Sequence, residues 1–173
     1  MKLAQARLVA LAVVCALLAA PSSAVAGSAS TSMTVTASVV AKCTVSAPTL
    51  AFGNWDFVTN GAADLDGTST LSFTCTKGSS AVYVTADVGA NTASATGTTR
   101  AMTDGSSHYL SYELYTDSGH TTVWNTTNSG GHTFAPTFAA SHSATTTVYG
   151  RIPTGQDATV GSYTDSVSVV INF

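Results

Sequence analysis

The sequence predicts an all-β protein, an antiparallel β-sandwich built as one exported domain. Three observations carry this. Short segments alternate apolar with polar residues at a period of two. Turn residues punctuate them at regular intervals. No ten-residue segment combines helical periodicity with caps.

Residues 1–26 read as a signal peptide. Lys2 and Arg7 make a positive start, Leu8–Ala20 is an apolar run, and Ala24-Val25-Ala26 is a small-x-small site before Gly27. The apolar run is short for a membrane span. The expected mature chain, Gly27–Phe173, has 147 residues, enough for one domain with a real core.

Near the start of the expected mature chain Ser28–Cys43 alternates. Met33, Val35, Ala37 and Val39 fall on one face of an extended chain, and Ser32, Thr34, Thr36 and Ser38 fall on the other. Such a strand with a free end has two possible partners, its own domain or a neighbour's sheet. From the segment alone that choice stays open.

Cys15 leaves with the signal, so the mature chain keeps Cys43 and Cys75. An even count in an exported protein suggests one disulfide, worth roughly 3–4 kcal/mol in the chain-entropy model. The alternative is two reduced, buried thiols. A metal site is disfavoured, because no His or second Cys lies at ligand spacing from either cysteine.

The body then offers a succession of strand candidates. Leu71–Cys75 alternates and ends at Lys77-Gly78. Ala81–Val88 follows and stops at Gly89. Tyr109–Tyr115 places Leu110, Tyr112 and Leu114 on one face, with Tyr109, Ser111, Glu113 and Tyr115 on the other. Thr121–Asn125, Thr133–Ala139 and Ala144–Ile152 come next, and Ser162–Phe173 closes the chain with Val167, Val169, Ile171 and Phe173 on one face. Asn60-Gly61, Asp66-Gly67, Asp104-Gly105 and Gly130-Gly131 are turn signals. Gly89–Thr99 is a polar patch that reads as a long loop. About seven short strands so punctuated suggest a sandwich.

Charge and motif exclude several functions. Four basic residues (Lys42, Lys77, Arg100, Arg151) face nine acidic ones in the mature chain, so no nucleic-acid footprint exists. His108, His120, His132 and His142 are scattered and read as loop or surface residues. No nucleophile elbow marks a Ser/His/Asp triad, so no enzyme is expected and no catalytic residue or cofactor is assigned. Asn125-Thr126-Thr127 is a formal glycosylation sequon of the kind that arises by chance in Thr-rich chains. Trp55 and Trp124 would suit a sugar-binding surface, although a core or edge role is the commoner fate of sandwich aromatics. Arg100 and Arg151 read as structural arginines at a sheet end, paired with a carboxylate such as Asp165 or Asp117.

Several segments, taken together, carry a resemblance. In order they are Cys43-Thr44-Val45, Leu50-Ala51-Phe52-Gly53-Asn54-Trp55, Cys75 and Arg100-Ala101-Met102. Then come Leu110–Asp117, Val148–Pro153 and Gly161–Val169. This arrangement resembles the spore coat protein U family, which includes subunits of archaic chaperone–usher pili. Trp55 stands where a Tyr is common, and Thr154-Gly155 where Ala-Gly is. The single domain is more like a shaft pilin than a two-domain tip adhesin.

The resemblance implies an incomplete immunoglobulin-like sandwich lacking its last strand, which leaves a hydrophobic groove. It further implies a periplasmic chaperone that fills the groove first, an outer-membrane usher, and identical or related pilin subunits as partners. The N-terminal extension of the next subunit would replace the chaperone, a form of β-augmentation. The strand pattern running to Phe173 fits an edge that must be covered by something else.

On this reading residues 1–26 are the signal, 27–41 the donor strand and 42–173 the body. Met33, Val35, Ala37 and Val39 are the anchors, and Lys42 stays in solvent. Val167, Val169, Ile171, Phe173 and residues next to Cys43 line the groove, and the disulfide holds it open. Phe173, with the terminal carboxylate, is the expected chaperone contact. The product would be a surface fibre serving adhesion and biofilm formation. Two rivals are a secreted spore or cell-surface coat protein and a carbohydrate-binding sandwich using Trp55 or Trp124.

Overall fold

The structure is a computed structural model that describes residues 25–79, 82–138 and 142–173. The signal-peptide reading falls on residues 1–26, of which 1–24 lie outside the described residues. Val39–Phe173 forms one compact unit, and residues 25–38 belong to another.

Among the described residues seven strands make up the body: β1 (Cys43–Ser46), β2 (Leu65–Cys75), β3 (Tyr83–Ala86), β4 (Arg100–Thr103), β5 (Tyr109–Tyr115), β6 (Ser143–Ile152) and β7 (Val169–Asn172). Five of them form one sheet in the order β1-β2-β6-β5-β4, and β3 pairs with β7 in a second sheet. Every described pairing is antiparallel. The result is an incomplete antiparallel sandwich, as the sequence predicts.

The long hairpin-like pairing of β2 with β6 is the spine, running from Leu65↔Ile152 to Thr74↔Ser143. Leu71, Phe73 and Cys75 point inward at alternate positions while Ser72 and Thr74 stay exposed. Period-two alternation thus sets which face becomes core. Leu110, Tyr112, Leu114, Val148 and Ile152 meet Val84, Ala86, Trp124 and Phe134 between the sheets.

The structure departs from the sequence reading in four places. Asp66-Gly67 is not a turn but lies inside β2, where Gly67 faces Gly150 across the ladder. Thr121–Asn125 contributes only the bridge Tyr115↔Val123, and Thr133–Ala139 only Val84↔Phe134, with Ala139 outside the described residues. Trp124 explains the first of these. Its backbone N–H donates to Leu114 O (2.8 Å) in one sheet and its indole N–H to Val84 O (2.9 Å) in the other, so the segment crosses between sheets. Third, residues 25–42 carry no strand. A strand exists only when a ladder satisfies its backbone groups, and alternation alone does not provide one. Fourth, Ser111 and Glu113 are buried although they lie on the polar face of β5. The Gly89–Thr99 loop covers that face: Thr96 N donates to Ser111 Oγ, and Thr99 donates to Glu113 through both N–H and hydroxyl.

Candidate functional site

An apolar cleft lies where the two sheets fail to close. One rim is the chain from β1 through Ala47–Phe57, and the other is Ala158–Val169 leading into β7. The rims run in opposite directions. β1 and β7 approach within 8 Å between Cα atoms at one end, while Trp55 and Val160 share the other. Two connected chambers occupy the cleft. The inner one, about 370 Å³, has Leu71, Tyr112, Leu114, Trp124 and Val148 as its floor. The outer one, about 830 Å³, opens beside Trp55, Phe57, Leu110, Ile152 and Val160. Leu50, Phe52, Met102 and Tyr163 line both.

Hydrogen-bond direction shows that both rims present unpaired backbone. Val84 exchanges backbone bonds with Phe134 (2.8 and 3.2 Å), so its pair with Ile171 is a non-hydrogen-bonded one. Asp87 N donates to Ser168 O, and Thr85 Oγ1 to Val170 O. Ser168, Val170 and Asn172 therefore turn their backbone groups toward β3, while Thr164, farther along the rim, exchanges backbone bonds with Thr103 of β4. Val167, Val169 and Ile171 turn theirs toward the cleft, with side chains half-buried. The same logic applies to β1. Thr76 N donates to Lys42 O, so Cys43 and Val45 direct their backbone groups away from β2. Among the described residues no strand pairs with either of these edges.

Three devices hold the rims in place. On the β7 side Asp165 accepts from Tyr112 Oη (2.8 Å), Ala90 N (3.0 Å) and Asn91 Nδ2 (3.2 Å). Burial, then the Asp165 carboxylate, push the Tyr112 phenol far above its ordinary pKa, so it stays a donor. On the opposite rim Leu50 and Phe52 rest on the Gly67–Gly150 pair. A Cβ on Gly150 would lie 2.8 Å from Phe52 Cζ, so a flat, side-chain-free patch is required there. At the outer end Gln156 accepts from Ser111 N (2.7 Å) and donates to Ser111 O (2.9 Å), while its own backbone carbonyl accepts from the Trp55 indole (3.1 Å).

The predicted site residues are distributed as follows. Cys43 and Cys75 form a disulfide at directly paired positions of β1 and β2. Met33, Val35 and Val39 are 85, 80 and 84 % exposed, and Ala37 is exposed. Val167 and Val169 line the inner chamber; Ile171 packs at the margin of the core; Phe173 is half exposed and lines neither chamber. Arg100 is wholly buried against Glu113, not Asp165 or Asp117. Arg151 pairs with Asp66 (2.7 Å) and Asp64 (3.2 Å). Asp117 instead accepts from Thr121 and Thr122 within its own turn.

The histidines serve separate local roles. His108 bonds Asp104, His132 bonds Val123 O, and His120 is buried against Tyr115 and Tyr149. Among the described residues no three His, Cys, Asp or Glu side chains gather as a metal would need. Trp124 is 1 % exposed with its N–H committed, which removes it from any sugar-binding surface. The sequence reading missed Leu50, Phe52, Met102 and Tyr163. The Leu50-Ala51-Phe52 and Tyr163–Val169 alternations were the available signal; the first has no ladder, and the second has only the bridge Thr103↔Thr164 before β7 begins at Val169.

The chain has relatives among known proteins. The family model described as Spore Coat Protein U domain matches residues 29–170. "Protein U" of Myxococcus xanthus is 35 % identical over 134 residues, covering 72 % of each chain. One chain of the CsuC–CsuE chaperone–tip adhesion subunit pre-assembly complex, from archaic chaperone–usher Csu pili of Acinetobacter baumannii, superposes with a TM-score of 0.56 at 20 % identity. That match covers 78 % of this chain and 40 % of the other, and the likeness is one of fold.

Proposed function

Because the chain belongs to the Spore Coat Protein U domain family, we propose that it is a structural subunit of a surface fibre, joined to its neighbours by donor-strand exchange. The observation that carries this reading is the cleft itself, an apolar channel flanked by two strand edges whose backbone groups lack a strand partner. A bare apolar edge is an aggregation hazard unless something covers it. Residues Ser30–Val40 have the period, the length and the exposed apolar face to be that cover in a second copy. Main-chain bonds to both rims would supply sequence-independent affinity. Met33, Val35 and Val39 would each add roughly 1.5–3 kcal/mol on full burial, and Ala37 less.

Fibre geometry selects the strand's direction. Each body sends its own extension out at Cys43, the end where β1 meets β7. An incoming strand running antiparallel to β7 leaves its own body at the opposite, Trp55 end, so the copies extend in a line. The parallel direction would place the incoming body against the outgoing extension.

Before assembly the same cleft would be held by a periplasmic chaperone and delivered to an outer-membrane usher. The half-exposed Phe173 remains available as a chaperone contact. Export to the cell surface, adhesion and biofilm formation follow from the fibre role, and the role is structural rather than enzymatic. A secreted spore or cell-surface coat protein joined by the same exchange is the second reading, favoured by the family's description.

Two tests apply. Electron microscopy of the purified, chaperone-free mature chain should show fibres. A synthetic peptide of residues 28–42 should bind the chain and cap growth; failure of both would overturn donor-strand joining.

A further inference from the structure

Three large apolar side chains are exposed around the Trp55 end of the cleft without being part of its floor. Phe57 is 51 %, Val58 91 % and Val160 100 % exposed. Phe57 and Val160 line the outer chamber from opposite rims, and Val58 follows Phe57 on the helical turn Phe57–Asn60. That turn is fixed in place. Asp56 accepts from Val58 N (2.9 Å) and Thr59 Oγ1 (2.8 Å), and Gly61 N donates to Phe57 O (2.8 Å). Apolar groups this exposed at a cavity mouth, two of them on a hydrogen-bonded turn, mark a contact surface.

Resting on the donor-strand reading, we propose that Phe57, Val58 and Val160 seat the body of the next copy of this chain, making a second, body-to-body contact beside the inserted strand. Chain length argues for a second copy as the occupant. Only Val40, Ala41 and Lys42 separate the last anchor, Val39, from Cys43 of β1. A fully extended link of this kind spans roughly 13–14 Å. The donor's body is therefore held against the cleft mouth where its strand emerges. The link is suited to the surface it would cross. Val40 is 72 % exposed and apolar, and the exposed Lys42 follows it. The receiving rim carries the carboxylate of Asp56 beside the apolar cluster.

The test uses the exported chain with paired substitutions, Ala41→Cys with Val160→Cys, or Ala41→Cys with Phe173→Cys. After polymerisation a short bismaleimide linker is added and the products are resolved under denaturing, non-reducing conditions. The 41/160 pair should give a covalent ladder and the 41/173 pair should not; the reverse would overturn the proposal. Separately, Val58→Asp, at an exposed side chain that lines neither chamber, should lower polymer yield about tenfold, while binding the free 28–42 peptide as the parent does. Polymer yield equal to the parent's would overturn the body contact and leave strand exchange standing. Loss of chaperone binding with normal polymers would assign the patch to the chaperone instead. If the parent chain forms no polymer and binds no peptide, the donor-strand reading itself fails, and this proposal with it.

Discussion

The guanidinium of Arg100 lies buried against the carboxylate of Glu113, on adjacent strands β4 and β5. Arg100 also donates to the carbonyl of Trp124 (2.7 Å) and, through Nε, to that of Asp87 (3.1 Å). One side chain thus ties the large sheet to the segment leaving β3 in the small sheet, at a place where no strand ladder joins them. Replacing Arg100 by Met would leave a carboxylate buried without its cation. The expected loss is about 3–5 kcal/mol, read from urea unfolding with the disulfide intact. Adding Glu113→Gln should recover part of it, and additive losses would show that the two residues do not act as a pair.

The glycine pair under Phe52 makes a prediction about cleft width. Gly150→Ala forces Phe52 and Leu50 to shift, because the new methyl would lie 2.8 Å from Phe52 Cζ and 3.0 Å from Leu50 Cδ2. Overpacking of this kind costs about 1–3 kcal/mol. The displaced ring should narrow the cleft and weaken binding of the 28–42 peptide. Phe52→Leu added to Gly150→Ala should restore it, which a titration of the peptide would show.

Acid should destabilise the body through Asp66. The hydrogen bond from Arg151 outweighs partial desolvation and holds the Asp66 carboxyl below 3.8. A depressed folded-state pKa contributes stability that is present above the unfolded value and lost as pH falls through the folded one. Arg151→Gln should therefore cost stability at pH 6 and make little difference near pH 2. At the alkaline end the Tyr112 phenol is shifted upward, so its contribution is complete below pH 10 and fades above it. Thermal unfolding across pH in the parent, Arg151→Gln and Tyr112→Phe chains measures both.

The disulfide spans 32 positions and fastens β1, which has a ladder on one edge alone, to β2. Cys43→Ser with Cys75→Ser should lower unfolding free energy by about 3–4 kcal/mol. It should also weaken peptide binding, because the β1 rim would no longer be held at its end of the cleft. A double variant that unfolds with the parent's midpoint would contradict this.

Much of the body was legible because alternation and burial agree there. Tyr109–Tyr115 is β5 at its predicted bounds, and Ala144–Ile152 differs from β6 by one residue. Glu113 falls on the face opposite Leu110, Tyr112 and Leu114, and alternation alone does not tell that this face is covered. Its partner Arg100 stands thirteen residues earlier, in a strand too short to show periodicity. Asp66-Gly67 has turn chemistry, yet Asp66 faces Arg151 across the ladder and Gly67 gives Leu50 and Phe52 room. Val167 and Val169, on one face of the C-terminal alternation, line the inner chamber. The opposite rim escaped notice because Ala47–Phe57 crosses the sheet without pairing, so only its packing reveals its place.

The most direct measurement is fibre formation by the chain lacking Ser28–Ser38, secreted with its signal and chaperone, beside full-length chain carrying Val35→Asp. Both should be exported and bind chaperone, and electron micrographs should show no fibres, since an unpaired carboxylate in an apolar channel is costly. Fibres of normal length from either would contradict donor-strand joining through this segment.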